Sequence, residues 1–229
     1  MSPSTFDRDA KRYSGHPVKG CARWLGSIAL SGRQVVASVV MLLSISVAVA
    51  APPSHREALK QLSVMGIEAN TVRLIQYAGE GDRATVDLLL AAGVSPEAAD
   101  PLRKVTPLHN ASAQGHAGLV TRFLELGAKV DAQDWKGYTP LIDAAYQGHA
   151  DVVTLLLARN ARIDVRPPDG PTALIAAVQY GSAPVVLQLL NSGADPMLAD
   201  AAGRTPIAAA ELAGRAELAA MLKAAMGAR

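Results

Sequence analysis

The residues that could do chemistry in this chain are few. His109, His116 and His149 are candidates for metal binding or proton transfer. Asn110 and Asp143 are candidate polar contacts inside helical segments, and Cys21 is the lone thiol. A zinc site needs several ligands converging to about 2.0–2.3 Å from the ion. His116 and His149 lie 33 residues apart in matching places of a repeated phrase, a spacing that separates them. His109 lacks the nucleophile and the orienting third group that acyl or proton transfer would require. No G-x-x-x-x-G-K-S/T phosphate loop occurs, nor a G-x-G-x-x-G after a strand. The sequence therefore predicts no catalytic residue, no metal, no cofactor and no enzymatic activity.

The elements that carry these residues repeat. Thr106-Pro107-Leu108-His109, Thr139-Pro140-Leu141-Ile142, Thr172-Ala173-Leu174-Ile175 and Thr205-Pro206-Ile207-Ala208 begin at intervals of 33 residues. A fixed period of this length signals a stacked repeat architecture. Each Thr can cap a helix, and Pro at the next position removes an N–H that had no intrahelical partner. Gly115, Gly148, Gly181 and Gly214 end the first helix and reverse the chain. A second helix follows with an apolar stripe, LVTRFL at 119–124, VVTLLL at 152–157, VVLQLL at 185–190 and LAAML at 218–222. Gly127, Asn160 and Gly193 terminate it. A short extended piece then carries Asp131, Asp164 or Asp195 toward a turn whose glycine is Gly137, Gly170 or Gly203.

Period, TPLH phrase, Gly-His turn and LLL stripe together resemble the ankyrin-repeat family over about residues 67–227. The resemblance implies an all-α solenoid of stacked antiparallel helix pairs with projecting hairpins. One pair cannot cover its own apolar face, whereas neighbours cover it cooperatively. The expected organisation is a degenerate N-cap repeat at 67–102, repeats at 103–135, 136–168 and 169–201, and a C-cap repeat at 202–227. The N-cap copy lacks TPLH, and its spacing from Gly93 to Thr106 gives its hairpin one extra residue. Residues 51–66 form a linker with a covering helix near 56–67. In this family histidines such as His116, His149 and His109 hold the turn by hydrogen bonds.

The leader reads differently from the body. Residues 1–50 hold six basic and two acidic side chains, so the rest of the chain carries 16 basic against 18 acidic residues. The body thus offers no global positive field for nucleic acid. Val35–Ala50 is an uncharged run ending Ala48-Val49-Ala50 before Ala51-Pro52-Pro53. It reads as a signal peptide with a long basic front end, cleaved near Ala50. The open alternatives are a retained inner-membrane anchor, giving membrane contact through 35–50, and a buried helix of the domain. At 16 residues the run is short for a hydrocarbon core of roughly 30 Å. Cleavage would remove Cys21 and leave a chain without disulfides.

In the family, partners meet the hairpin tips and the exposed side of the first helices. Carried onto this sequence, the resemblance gives Arg103, Lys104, Trp135, Lys136, Tyr138, Arg166 and Arg204 at the hairpins, and Tyr146, Gln147, Gln179 and Tyr180 on the first helices. Aromatics are scarce here, and an exposed aromatic offers large contact area with little entropy loss. Trp135, Tyr138 and Tyr146 are either the hot spot or packing between hairpins. The basic residues form a stripe suited to an acidic peptide, or are ordinary solvated charges. Asn110 and Asp143 are either a polar interlock between repeats or a site for ligand donors. The resulting expectation is a monomeric, non-enzymatic module of the bacterial periplasm, resembling exported bacterial ankyrin-repeat proteins and binding a protein partner of unknown identity. The alternatives are a secreted host-directed effector and a membrane-tethered spacer.

Overall fold

The computed structural model describes residues 51–180 and 183–227, and among these the regular structure is entirely helical. The eleven helices are α1 His55–Val64, α2 Thr71–Glu80, α3 Arg83–Ala91, α4 Pro107–Ala113, α5 Ala117–Glu125, α6 Pro140–Gln147, α7 Ala150–Ala158, α8 Ala173–Gln179, α9 Ala183–Asn191, α10 Pro206–Leu212 and α11 Ala216–Gly227. The first helices of the pairs stack in one layer, α2 on α4, α4 on α6, α6 on α8 and α8 on α10. The second helices stack in another, α5 on α7, α7 on α9 and α9 on α11. This is the all-α repeat solenoid that the period implies.

Local chemistry sets the helix starts. Thr106, Thr139, Thr172 and Thr205 are extended, and each hydroxyl accepts from the amide three residues on, at 3.3–3.4 Å. Close stacking of the first helices depends on small side chains. Ala111, Ala144, Ala177 and Ala210 recur at the 33-residue period and are all fully buried, as are Leu108 and Leu141 three residues before the first two. A larger residue in the alanine column would push neighbouring helices apart.

The ends of the stack depart from the repeat. α1 packs on α3 with Ala58 and Leu62 buried, so it covers the exposed end of the second-helix layer. The first hairpin closes from Asp100 N–H to Val105 O, five residues along, whereas its counterparts close over four, Asp134 to Tyr138 and Asp200 to Arg204. This is the extra residue legible in the spacing. Lys104 occupies the frame position of Gly137 and Gly203 and takes the left-handed conformation with φ 54°. Asn160 does the same at φ 60° in place of the helix-ending glycine. Gly170, expected as a turn glycine, is not left-handed. Its requirement is spatial and comes from Tyr138, as described below.

Candidate functional site

The hairpins are built around aspartates that the repeat pattern left unmarked. Asp134 Oδ1 accepts from Lys136 N at 2.9 Å and from Tyr138 N at 2.8 Å. Asp200 is buried and does more. Its Oδ1 accepts from Ala202 N and Arg204 N, while its Oδ2 takes the Arg204 guanidinium at 2.8 Å. Its carbonyl also accepts from Arg166 Nη2 at 3.0 Å across the hairpin boundary. Asp131 and Asp164 have another task, accepting from the backbone of the next repeat at Arg162 N (2.9 Å) and Asp195 N (3.2 Å). The clue in the sequence was present: Asp134 and Asp200 stand two periods apart, with Pro167 between them.

The expected site residues fall into two groups. Arg103, Lys104, Trp135, Lys136, Gln147, Arg166, Tyr180 and Arg204 are exposed, whereas Tyr138, Tyr146 and Gln179 are half-buried. Trp135 is 61% exposed, its amide donates to Arg103 O at 2.9 Å, and the Lys136 ammonium lies 5.1 Å from its ring centroid. That distance suits a cation–π contact. Tyr146 and Tyr180 bring neighbouring first helices together, their rings 4.0 Å apart and tilted by 35°. Tyr138 lies against Gly170. Arg166 and Arg204 converge on Asp200, so two of the five basic side chains of the stripe have hairpin-building bonds.

The histidines are structural ties. His109 Nδ1 accepts from Thr106 N at 3.2 Å, which leaves the proton on Nε2 to donate to Tyr138 O at 3.1 Å. Burial holds its pKa below the usual range, consistent with a neutral ring. His116 Nε2 meets Gly79 O at 2.9 Å and His149 Nε2 meets Ala113 O at 3.1 Å, each reaching the previous repeat. In the last repeat Arg215 takes over this role, donating to Gln179 O at 3.1 Å. Among the described residues no group of three His, Cys, Asp or Glu converges for a metal ion.

Asn110 and Asp143 hold equivalent positions and behave differently. Asn110 Nδ2 donates to Ile75 O at 3.0 Å and rests against Gly79, so it locks α4 to α2. The Asp143 amide donates to Thr139 O at 3.1 Å, but among the described residues none of the ion pairs includes its carboxyl. Burial, and next the negative charge of Asp134, push its carboxyl up to about 8. Asp134, Asp143 and Tyr180 in turn raise Tyr138, after the larger effect of its burial. The face of α6 with its flanking hairpin is therefore crowded with groups that resist becoming anionic.

Comparison with known proteins gives this geometry a family context. A family model for ankyrin repeats in three copies matches residues 74–167, and a single ankyrin repeat matches 169–201. Cyclin-dependent kinase 4 inhibitor B from Bos taurus is 32% identical over 90 residues, covering 37% of this chain and 69% of that protein. The Rattus norvegicus protein of the same name is 32% identical over 92 residues, covering 38% and 71%.

These matches overturn the expected likeness to exported bacterial ankyrin-repeat proteins, since the relatives are mammalian and are named as kinase inhibitors. The periplasmic or secreted placement, the host-directed effector and the inner-membrane spacer are corrected with it. Among the described residues no helix is long and apolar enough to cross a membrane. The signal-or-anchor reading falls on residues 1–50, outside the described residues. It rested on one uncharged run, a pattern that hydrophobicity alone produces in many contexts.

Proposed function

We propose that this chain, which belongs to the ankyrin-repeat family, binds a protein partner through the face made by its hairpins and first helices. The scaffold is non-enzymatic and of the generic protein-binding kind. The observation that carries the choice of face is the exposure of Trp135 (61%) and Tyr180 (56%), with Tyr180 paired ring to ring with Tyr146 of α6. Large aromatics held on a rigid frame offer contact area at little ordering cost, which favours association. Arg103, Lys104, Lys136, Gln147 and Gln179 would frame this centre, and Tyr138, Arg166 and Arg204 would hold its hairpins.

The division supporting this reading is a capping repeat at 67–102, three repeats over 103–201 and a closing repeat at 202–227. We take the working unit as a monomer without cofactor. The matched relatives are named for inhibiting a kinase, which supports a folded protein as the class of partner. The test is capture by the full chain carrying Trp135→Ala and Tyr146→Ala. We expect an unchanged far-UV helical signal with partner capture lost; equal capture by wild type and variant would remove the face from consideration.

A further inference from the structure

Asp143 sits in the first turn of α6, on the same helical face as Tyr146 three residues later. Its equivalent in the preceding repeat, Asn110, has found the Ile75 carbonyl, and its equivalents in the following repeats, Ala176 and Ala209, need no partner. Asp143 alone in this column places a carboxyl there, and among the described residues none of the ion pairs includes it or Asp134. Three basic side chains of the hairpins are directed elsewhere: Lys136 lies over Trp135, and Arg166 and Arg204 bond Asp200.

The groups around it come from every packed neighbour. The preceding hairpin contributes Asp134 and Tyr138. α4 contributes His109, neutral and bonded on both ring nitrogens. The body of α8 has no titratable residue, but Tyr180 just beyond it pairs with Tyr146. α7 contributes Asp151, which is exposed and bonded to the Val152 amide. Asp143 thus acts electrostatically with Asp134 and Tyr138, while the Tyr146–Tyr180 ring pair begins one turn along the same helix, and among the described residues no cation is paired to Asp134 or Asp143.

We infer that Asp143, with the Tyr146 and Tyr180 rings, receives an arginine side chain presented by the protein partner, the guanidinium pairing with the carboxylate and stacking on the aromatic faces. Arginine suits this combination because its planar, weakly hydrated cation can do both at once. The guanidinium also meets the ionised carboxylate through two parallel N–H···O bonds, which an ammonium cannot do while stacking on a ring. The inference rests on the binding face proposed above and specifies the chemistry at its centre. Free Asp143 holds its proton up to about pH 8, so arginine binding at neutral pH ejects that proton into solvent.

The probe is Nα-acetyl-arginine methylamide at millimolar concentration, with the neutral isostere Nα-acetyl-citrulline methylamide as control. The readout is NMR of the Asp143 side-chain carboxyl carbon and the Tyr146 and Tyr180 rings in the full chain. The arginine probe should shift all three groups and lower the Asp143 titration midpoint by at least one pH unit, a tenfold preference for the ionised form. Citrulline should do neither, and Asp143→Asn should abolish the response. Asp143→Ala copies the residue of the next repeat and serves as a second folded background. Equal responses to both probes, a silent arginine probe, or a response retained in both variants would each overturn the inference. If the arginine probe is silent while partner capture still depends on Trp135 and Tyr146, the inference fails and the binding face stands. If capture ignores those aromatics, the binding face itself fails.

Discussion

The ring of Tyr138 fills the space that a side chain at Gly170 would need: a β-carbon there would lie 2.2 Å from Tyr138 Cε1 and 2.6 Å from its hydroxyl. The two residues belong to successive hairpins, so this contact sets how closely one hairpin approaches the next. Gly170→Ala should destabilise the fold by about 1–3 kcal/mol, the usual range for overpacking. Denaturant unfolding checks this, and the penalty should largely vanish in a Tyr138→Ala background. Additive penalties would show that the two residues are independent.

Ser112 interrupts an apolar column that continues with Ala145 and Val178. Its hydroxyl is fully buried and has no hydrogen-bond partner among the described residues. Ser112→Ala removes an unsatisfied polar group without opening a significant cavity, so stability should rise by about 1 kcal/mol. Chemical denaturation at fixed pH would detect this as a higher midpoint with an unchanged slope.

Lys104 occupies a left-handed position that its frame equivalents fill with glycine. The left-handed conformation disfavours a side-chain-bearing residue by roughly 1–2 kcal/mol. Glycine returns part of that gain through the greater freedom of the unfolded chain, about 0.4–1 kcal/mol. Lys104→Gly should therefore stabilise modestly, by about 0.5–1 kcal/mol. Gly137→Ala should do the reverse, because φ is 81° there and a β-carbon would lie 2.8 Å from Pro168 Cδ. Paired thermal melts of the two variants test both directions.

Asp143 makes stability depend on pH in a predictable sense. Its folded-state value of about 8 lies above the ordinary 3.8, so between these values the folded protein holds a proton that the unfolded chain has released. This contribution is fully present below about pH 3.8 and is lost as pH rises toward 8, with a slope of at most about 1.4 kcal/mol per pH unit. Asp143→Asn should remove the slope and leave the variant increasingly more stable than wild type from pH 5 to 8. Parallel stability–pH curves for the two proteins would contradict a raised carboxyl.

Much of the fold was legible because the same physical tasks recur every 33 residues. Capping threonines, helix-ending glycines and alanines at the helix crossings each leave a periodic mark. The site was less legible because its interactions join different repeats and break the period. The Tyr146–Tyr180 pair uses adjacent but non-equivalent frame positions, and Asp200 anchors Arg166 from the previous repeat. Gly170 looked like a turn glycine because it matches Gly137 and Gly203 in register, yet its constraint comes from the ring of Tyr138. Lys104 sat in the same register, but the one-residue insertion beside it hid the correspondence.

The most direct test of the account places a photo-crosslinking phenylalanine analogue at Trp135 or at Tyr180 in the full chain. The control position is Leu187, 43% exposed on α9 in the other helix layer. Irradiation in the presence of the cell's own proteins should give one shared adduct from positions 135 and 180 and none from 187. An adduct formed from position 187 alone would place the partner on the second-helix layer and contradict the binding face proposed for this protein.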